Sequence, residues 1–234
     1  MIHAAPAAGF IAVFERYLQW LVRRSFRGVW LRADARLPPG GFVAAANHTS
    51  WWDGFVPFLA QRRIARATPF AVMMDESQLR RFPFFRLGGA FSVDPSRPRD
   101  AYASVQYAAS LARSGAGVWI FPEGRIAPPG SRRRFTYGYL HAAREACVPI
   151  VPVALRYTML DAQRPDAFIE FGEPCDPAAA GVEERVPERI DSLLLQLNEA
   201  LARGDARAAR TRLFPPGRGI DDAVAGILSA VRRA

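Results

Sequence analysis

The sequence predicts a single α/β domain in which a largely parallel sheet is covered by helices and preceded by an N-terminal amphipathic helix. Short apolar runs typical of buried strands alternate with segments of helical periodicity, and 234 residues suit one substantial domain. Half of the residues are hydrophobic and 12% are aromatic, which excludes a wholly disordered chain. The expected strands are GFVAAA, ATPFAVMM, GAFSV, GVWIFP, PIVPVALRY and AFIEFGE, and the expected helices span about residues 51–62, 75–86, 98–113, 133–146 and 184–203.

Three segments are expected along the chain: an N-terminal membrane-interface helix in residues 1–34, a main domain in residues 35–204 and a helical tail in residues 205–234. From Phe10 to Trp30, apolar residues recur at helical spacing and are interrupted by arginines. This pattern fits a helix at a membrane surface and a helix packed on the domain equally well. Within the tail, a short amphipathic helix is expected near residues 220–233.

The charge of the chain is strongly positive. The formal net charge is +9, and all 31 basic residues are arginine. Such a charge attracts anionic partners, including phospholipid headgroups, nucleic acid and phosphate-bearing thioesters. Because the arginines are scattered and accompany no recognised nucleic-acid motif, we expect no nucleic-acid partner.

The cysteines and the apolar runs bear on the cellular setting. Cys147 and Cys175 are spaced neither as a metal clip nor as a disulfide framework, so we expect no metal and a reducing, cytoplasmic setting. The beginning, MIHAAPAAGF, lacks the features of a cleaved signal peptide. No run reaches 18 apolar residues, so membrane contact is expected to be peripheral and on the cytoplasmic face.

One motif joins the end of an expected strand to the start of an expected helix. The segment NHTSWWD at residues 47–53 places a histidine five positions before a carboxylate. If Ser50 caps the helix, Asp53 takes its third position, and the His48 and Asp53 side chains can converge. An imidazole held by a carboxylate can accept a hydroxyl proton near neutral pH. His48 and Asp53 are therefore the candidate catalytic pair, although a capping box or a structural histidine explains either residue taken alone.

A second motif, FPEGR at residues 121–125, follows the run GVWI and is expected at a strand end, where α/β sheets gather ligands. Glu123 and Arg125 can bind polar groups of an acceptor, and Gly124 permits close approach of the backbone. The alternative is an ordinary turn with an ion pair. Further on, VPIVPVAL at residues 148–155 carries two prolines, which predict a wall or an edge of the sheet rather than a central strand.

Taken together and in this order, NHTSWWD, FPEGR and VPIVPVAL resemble the glycerolipid acyltransferases of the lysophosphatidic acid acyltransferase (PlsC-like) family over about residues 40–160. The resemblance implies that His48 is a general base and that Asp53 orients it. It also implies that Glu123 and Gly124 belong to a box that binds the acceptor. By the same resemblance, residues 148–152 help to place the acyl chain and the acceptor.

Two departures from the family pattern concern the acceptor. The family commonly has FPEGTR, whereas Arg125 here directly follows Gly124. The family's other acceptor-binding block has an arginine soon after an apolar strand, whereas GGAFSVDPSRPR brings Arg97 and Arg99 further on. Arg97, Arg99 and Arg125 all fall near expected strand ends, so we expect them jointly to bind a phosphate-bearing acceptor.

The resemblance implies transfer of a fatty acyl group from acyl-CoA or an acyl carrier protein to a hydroxyl of a lysophospholipid-like acceptor at a membrane surface. The first candidate acceptor is 1-acylglycerol-3-phosphate. The acyl thioester is a co-substrate, and no cofactor is expected. Three alternatives stay open: acyl transfer to another hydroxylated lipid, hydrolysis of the thioester by the same base, and peripheral lipid binding without catalysis.

Overall fold

The computed structural model describes residues 1–128, 131 and 134–215, which form one mixed sheet between two layers of helices. The strands are β1 (Gly28–Arg32), β2 (Phe42–Ala46), β3 (Phe70–Asp75), β4 (Ala90–Val93), β5 (Gly117–Ile120), β6 (Ile150–Thr158), β7 (Asp166–Phe171) and β8 (Arg210–Arg212). The helices are α1 (Ala8–Ser25), α2 (Val56–Ile64), α3 (Glu76–Arg81), α4 (Pro98–Arg113), α5 (Gly138–Ala146) and α6 (Val182–Arg203), with short 3-10 helices at Trp51–Gly54 and Pro83–Gly88. The expected α/β domain with an N-terminal amphipathic helix is confirmed.

The order of the strands explains where ligand-binding loops can gather. The sheet runs β4-β3-β5-β2-β6-β7-β1-β8, and its first five strands are parallel to one another. β7 is antiparallel to β6, β1 is parallel to β7, and β8 is antiparallel to β1. The carboxyl ends of β5, β2 and β6 therefore lie side by side at one edge, where parallel sheets bind ligands.

The central strand β2 is buried along its whole length. Phe42, Ala44 and Ala46 pack into a core with α1 and α2, whereas Val43 and Ala45 pack into a second core with α4, α5 and α6. Because side chains alternate along a strand, a strand without polar side chains is covered on both faces. β2 therefore provides a rigid starting point for the residues that follow it.

The prediction of one helix from Phe10 to Trp30 is wrong at its C-terminal end. α1 ends at Ser25, and Trp30 lies in β1, which pairs with β7. Val29, Trp30 and Leu31 favour a strand, and the strand pairing of these residues overrides the helical spacing. β8 also joins the sheet, so parts of segments 1–34 and 205–234 share the sheet of the main domain. The helix expected near residues 220–233 lies outside the described residues.

The prediction that the proline-containing strand forms a wall or an edge of the sheet rather than a central strand is also wrong. β6 lies in the interior of the sheet, between β2 and β7. Pro152 lies next to Val153, where the pairing with β7 begins, and its carbonyl still accepts the Gly172 N–H at 2.8 Å. A proline at the beginning of a ladder loses little, because only its own missing N–H is lost.

α1 is packed on one face and exposed on the other. Leu18 and Val22 are buried, and the buried Glu15 accepts hydrogen bonds from Arg62 of α2 at 3.0 and 3.1 Å. The opposite face exposes three large apolar side chains, Val13, Tyr17 and Trp20. No helix within the described ranges is long and apolar enough to cross a bilayer.

Candidate active site

Asn47 holds the chain as it leaves β2. Its fully buried side chain donates from Nδ2 to the Leu155 carbonyl at 2.9 Å and accepts the Leu155 N–H at Oδ1 at 2.7 Å. The amide therefore continues the hydrogen bonding to β6 after the β2 backbone has left the ladder. As a result, His48 begins from a defined position at the carboxyl edge of the sheet.

Asp53 holds the turn that carries His48. The Ser50 side chain caps the 3-10 helix Trp51–Gly54, and Asp53 Oδ2 accepts the backbone N–H groups of Thr49 and Ser50 at 2.7 and 2.8 Å. The same oxygen lies 2.8 Å from Nδ1 of His48. The expected convergence of the two side chains is confirmed. One carboxylate serves both the capping box and the histidine, so the two interpretations of Asp53 are compatible.

The His48 ring is oriented from two sides. Asp53 is fully buried, whereas the His48 side chain keeps 22% of its surface exposed. Phe121, just after β5, stacks on the imidazole with the ring centroids 4.6 Å apart. Because Nδ1 faces the carboxylate, Asp53 accepts the Nδ1 proton, and Nε2 is the nitrogen left for a substrate proton.

The FPEGR loop wraps around His48. Glu123 Oε1 accepts the His48 backbone N–H at 3.3 Å, and the Ala127 N–H donates to the His48 carbonyl at 2.8 Å. Gly124 has a φ of 68°, which glycine adopts without strain, and its N–H closes a turn on the Phe121 carbonyl. The loop therefore helps to build the histidine site itself, a function that the sequence analysis did not assign to it.

Arg125 lies in the same loop with its side chain exposed. Within residues 1–128, 131 and 134–215, its guanidinium makes no ion pair or hydrogen bond. The five N–H donors of an arginine suit a planar, two-point contact with a phosphate or a carboxylate. Arg125 is therefore a cation near the histidine that is available to a ligand.

Arg97 is held by carboxylates instead. Its guanidinium pairs with Asp94 at 2.6 Å, with Asp100 at 3.1 Å and with Glu76 at 3.4 Å. Hydrogen bonds from Ser96 and then from Arg97 lower the pKa of Asp94 to about 2, so this carboxylate is charged at neutral pH. The contacts of Arg97 therefore stabilise the loop after β4.

The loop after β4 is also distant from His48. β5 and β3 separate β2 from β4, which at about 4.8 Å per strand puts the two strand ends roughly 14 Å apart. Arg99 is exposed in the first turn of α4. The loop that carries Glu123, Gly124 and Arg125 thus lies beside His48. Arg97 and Arg99 lie further along the carboxyl edge of the sheet.

Tyr157, near the end of β6, is a residue that the sequence analysis missed. Its hydroxyl is buried, as is Oδ1 of Asp53, and neither atom has a hydrogen-bond partner in the described part of the chain. Burial raises the pKa of Tyr157 well above its usual value, and the Asp53 carboxylate adds to the rise. The only signal in the sequence was a tyrosine two residues after the VPIVPVAL strand motif, in the dipeptide RY.

A group of aromatic side chains borders the His48 loop. Trp51 is 60% exposed and its ring lies 4.5 Å from that of Phe55, which lies 5.8 Å from Phe85. Phe84 is 44% exposed and lies 4.4 Å from Phe85, while Phe14 of α1 contacts both Phe55 and Phe85 at 6.2 Å. These five residues form an aromatic cluster, in which Phe55 is buried. It connects the histidine loop with α1.

A family model described as Acyltransferase matches residues 30–156, which is more than half of the chain. The match includes the His48–Asp53 pair, the FPEGR loop and most of β6. The chain therefore belongs to the acyltransferase family, and the resemblance read from its three motifs is confirmed.

Individual relatives are similar over different lengths. Human 1-acyl-sn-glycerol-3-phosphate acyltransferase alpha is 30% identical over 131 residues, which cover 54% of this chain and 45% of that protein. The chain thus spans about half the length of such curated relatives. Lyso-ornithine lipid O-acyltransferase from Pseudomonas aeruginosa is 28% identical over 226 residues, which cover 89% of this chain and 83% of that protein.

The fold also matches a solved structure. The crystal structure of PlsC, the 1-acyl-sn-glycerophosphate acyltransferase of Thermotoga maritima, superposes with a TM-score of 0.62 at 20% identity. The superposition covers 80% of this chain and 79% of that chain. At this identity the likeness supports the architecture of the domain.

Proposed function

We propose that this protein is an O-acyltransferase that moves a fatty acyl group from a thioester to a hydroxyl of a lysolipid. The observation that carries the proposal is the 2.8 Å contact between His48 Nδ1 and Asp53 Oδ2 at the carboxyl edge of the sheet. A buried carboxylate that fixes the tautomer of a partly exposed imidazole makes Nε2 a general base. Membership of the acyltransferase family favours acyl transfer among the reactions that such a base can serve.

In the proposed reaction, the acceptor hydroxyl gives its proton to His48 Nε2 while its oxygen attacks the thioester carbonyl. A C–O bond forms, and the carbonyl oxygen takes up negative charge as the carbon becomes tetrahedral. Collapse of this intermediate breaks the C–S bond, and the leaving sulfur takes the proton from the imidazolium. The products are an ester and a free thiol, so no covalent acyl-enzyme is needed. The proposed donor is acyl-CoA or an acyl carrier protein.

Two acceptors with different headgroups fit the proposal. The first is lysophosphatidate, the acceptor in the name of the human relative, whose phosphate suits the available guanidinium of Arg125. The second is lyso-ornithine lipid, the acceptor in the name of the Pseudomonas aeruginosa relative that aligns with 89% of this chain. Arg97, which was expected to help bind a phosphate, already pairs with three carboxylates. Fewer cations are therefore free for a phosphate, so lyso-ornithine lipid should be tested as well as lysophosphatidate.

We further propose that the acceptor is presented at a membrane surface. Tyr17 and Trp20 of α1 are exposed, and Arg24 lies 5.9 Å from the centroid of the Trp20 ring. Aromatic side chains interleaved with arginines on one helix face suit an anionic bilayer interface. The two free cysteines fit a reducing compartment, so the proposed contact is on the cytoplasmic face.

Acceptor-dependent ester formation tests the proposal. Purified protein is incubated with labelled palmitoyl-CoA or palmitoyl carrier protein and with vesicles that contain lysophosphatidate, lyso-ornithine lipid, lysophosphatidylcholine or a long-chain alcohol. We expect a labelled ester with at least one of the lysolipids. Release of free fatty acid at one rate with or without acceptor indicates a thioesterase. Binding to vesicles with neither product indicates a lipid-binding protein.

A further inference from the structure

We infer that Tyr157 is a positioning residue whose hydroxyl holds the second oxygen of Asp53 and thereby tunes His48 as a base. The inference rests on the proposed general-base function of His48. Tyr157 acts on the reaction only through Asp53, since its hydroxyl is buried, whereas the His48 imidazole is the partly exposed group.

The Asp53 carboxylate has one well-occupied oxygen and one without a donor. Oδ2 receives the contacts from His48, Thr49 and Ser50. Oδ1 is buried and has no hydrogen-bond partner among the described residues. A buried carboxylate oxygen without a donor is unfavourable, so a nearby donor should be directed to it.

The Tyr157 hydroxyl is the matching donor. It is also buried and without a hydrogen-bond partner in residues 1–128, 131 and 134–215. The Tyr157 ring lies 5.8 Å from Phe26, and Phe26 lies 4.9 Å from the ring of Trp52, the neighbour of Asp53 in the chain. The two unpaired atoms therefore belong to side chains of one packed cluster.

The electrostatic environment of Tyr157 supports this pairing. Burial raises the pKa of Tyr157 well above its usual value, and the Asp53 carboxylate adds to the rise both through its charge and as an acceptor within reach of the phenol. The phenol therefore keeps its proton throughout the working pH range and can only donate towards the carboxylate.

Three of the other charged groups near this cluster have contacts of their own. Arg156 precedes Tyr157 on β6 and so points to the opposite face of the sheet. The remaining groups are occupied as follows: Asp166 of β7 binds Arg207, Arg27 next to Phe26 pairs with Asp161, and Glu123 accepts the His48 backbone N–H. None of these pairs competes with Tyr157 for Oδ1 of Asp53.

A hydrogen bond from Tyr157 to Oδ1 has two consequences. It fixes the plane of the carboxylate and therefore the ring of His48. It also draws negative charge away from Oδ2, so the imidazole holds its proton less tightly than it would beside an unshared carboxylate. Loss of the Tyr157 hydroxyl should therefore slow catalysis and shift its pH dependence.

Tyr157→Phe tests the inference because it removes a single oxygen and keeps the ring. Tyr139→Phe is the matched control. The Tyr139 hydroxyl is also buried without a partner in the described chain, and burial raises the pKa of Tyr139 to about 12. Its ring, however, lies in the other core, against α4 and α6.

For Tyr157→Phe we expect a roughly tenfold loss of kcat with unchanged KM for both substrates, because one hydrogen bond to a charged group is removed. The acidic limb of the kcat–pH profile should move to higher pH, because more negative charge then faces the imidazole. The midpoint of an NMR titration of the His48 imidazole should move in the same direction, and this measurement needs no turnover. Tyr139→Phe should change none of these.

Wild-type kcat and an unmoved pH profile in a folded Tyr157→Phe protein overturn the inference. An equal loss of thermal stability in both phenylalanine variants without any change in the His48 titration also overturns it, because this result indicates packing alone. If the wild type transfers no acyl group but the His48 titration still moves in Tyr157→Phe, the proposed function fails and the pairing of Tyr157 with Asp53 stands.

Discussion

Asn47 and Leu155 join the end of β2 to β6 through a side chain, because the Asn47 amide donates to the Leu155 carbonyl and accepts the Leu155 N–H. The paired residues of the β2–β6 ladder end at Ala46 and Val153. The amide is therefore the last link between the strands before His48. The position of the proposed base depends on one buried side chain as well as on the backbone of the sheet.

Asn47→Ala should destabilise the protein and misplace His48. We expect a loss of about 2 kcal/mol in the free energy of unfolding, because the buried N–H and carbonyl of Leu155 lose their partner. Denaturant unfolding and initial rates measure the two effects, and kcat should fall more than KM rises. Asn198→Ala, on an exposed position of α6, is the control and should resemble the wild type. Unchanged kcat in Asn47→Ala would show that the amide does not position the base.

Asp53→Asn should reduce transfer by at least about 100-fold, because the imidazolium loses its charged partner and the Nδ1 tautomer is no longer enforced. Thermal melting must accompany the rates, since a lost capping interaction alone costs about 1 kcal/mol. Asp75→Asn is the control, because Asp75 caps α3 by accepting the N–H groups of Ser77 and Gln78 away from the histidine. A similar loss of activity in both variants would assign the effect to capping.

Arg97 and Arg125 should respond differently to substitution. Arg125→Lys should raise the KM for a phosphate-bearing acceptor more than that for the thioester, because a lysine cannot reproduce the two-point contact of a guanidinium. Arg97→Gln should lower the melting temperature and leave the acceptor KM unchanged, because its contacts are with Asp94, Asp100 and Glu76. If the acceptor KM rises in Arg97→Gln and not in Arg125→Lys, the headgroup of the acceptor binds at the loop after β4.

The exposed face of α1 should bind anionic membranes. Deleting residues 1–30 is unsuitable as a test, because it also removes the buried Leu18 and Val22 and most of β1. The double variant Tyr17→Ser, Trp20→Ser should instead weaken flotation with anionic vesicles, and added salt should weaken it further. Leu195→Ser, an exposed leucine on α6, is the control. Equal flotation of the double variant and the wild type would place the membrane contact elsewhere.

The predictable part of the site is local in sequence. His48, Ser50 and Asp53 lie within six residues, and the rules of helix capping bring their groups together without reference to the rest of the fold. The FPEGR loop could be placed beside them because parallel strands end at one edge of the sheet. Most helices and strands could be predicted from apolar periodicity, because this pattern is also local in sequence.

The unpredicted part depends on contacts distant in sequence. Tyr157 meets Asp53, and Asn47 meets Leu155, across more than 100 residues, and no periodicity reports such pairs. The three residues of β8, Arg-Thr-Arg, carry no apolar pattern and form a strand because β1 offers an edge. The ion pairs of Arg97 depend in part on Glu76, which precedes it by 21 residues on another element.

The rate of acyl transfer by His48→Ala, at saturating thioester and lysolipid, tests the central claim most directly. We expect a rate at least about 100-fold below that of the wild type, because the proton acceptor is missing, in a protein that still folds. His141→Ala, an exposed position on α5, is the matched control and should keep full activity. Turnover near that of the wild type in folded His48→Ala protein would contradict the assignment of His48 as the general base.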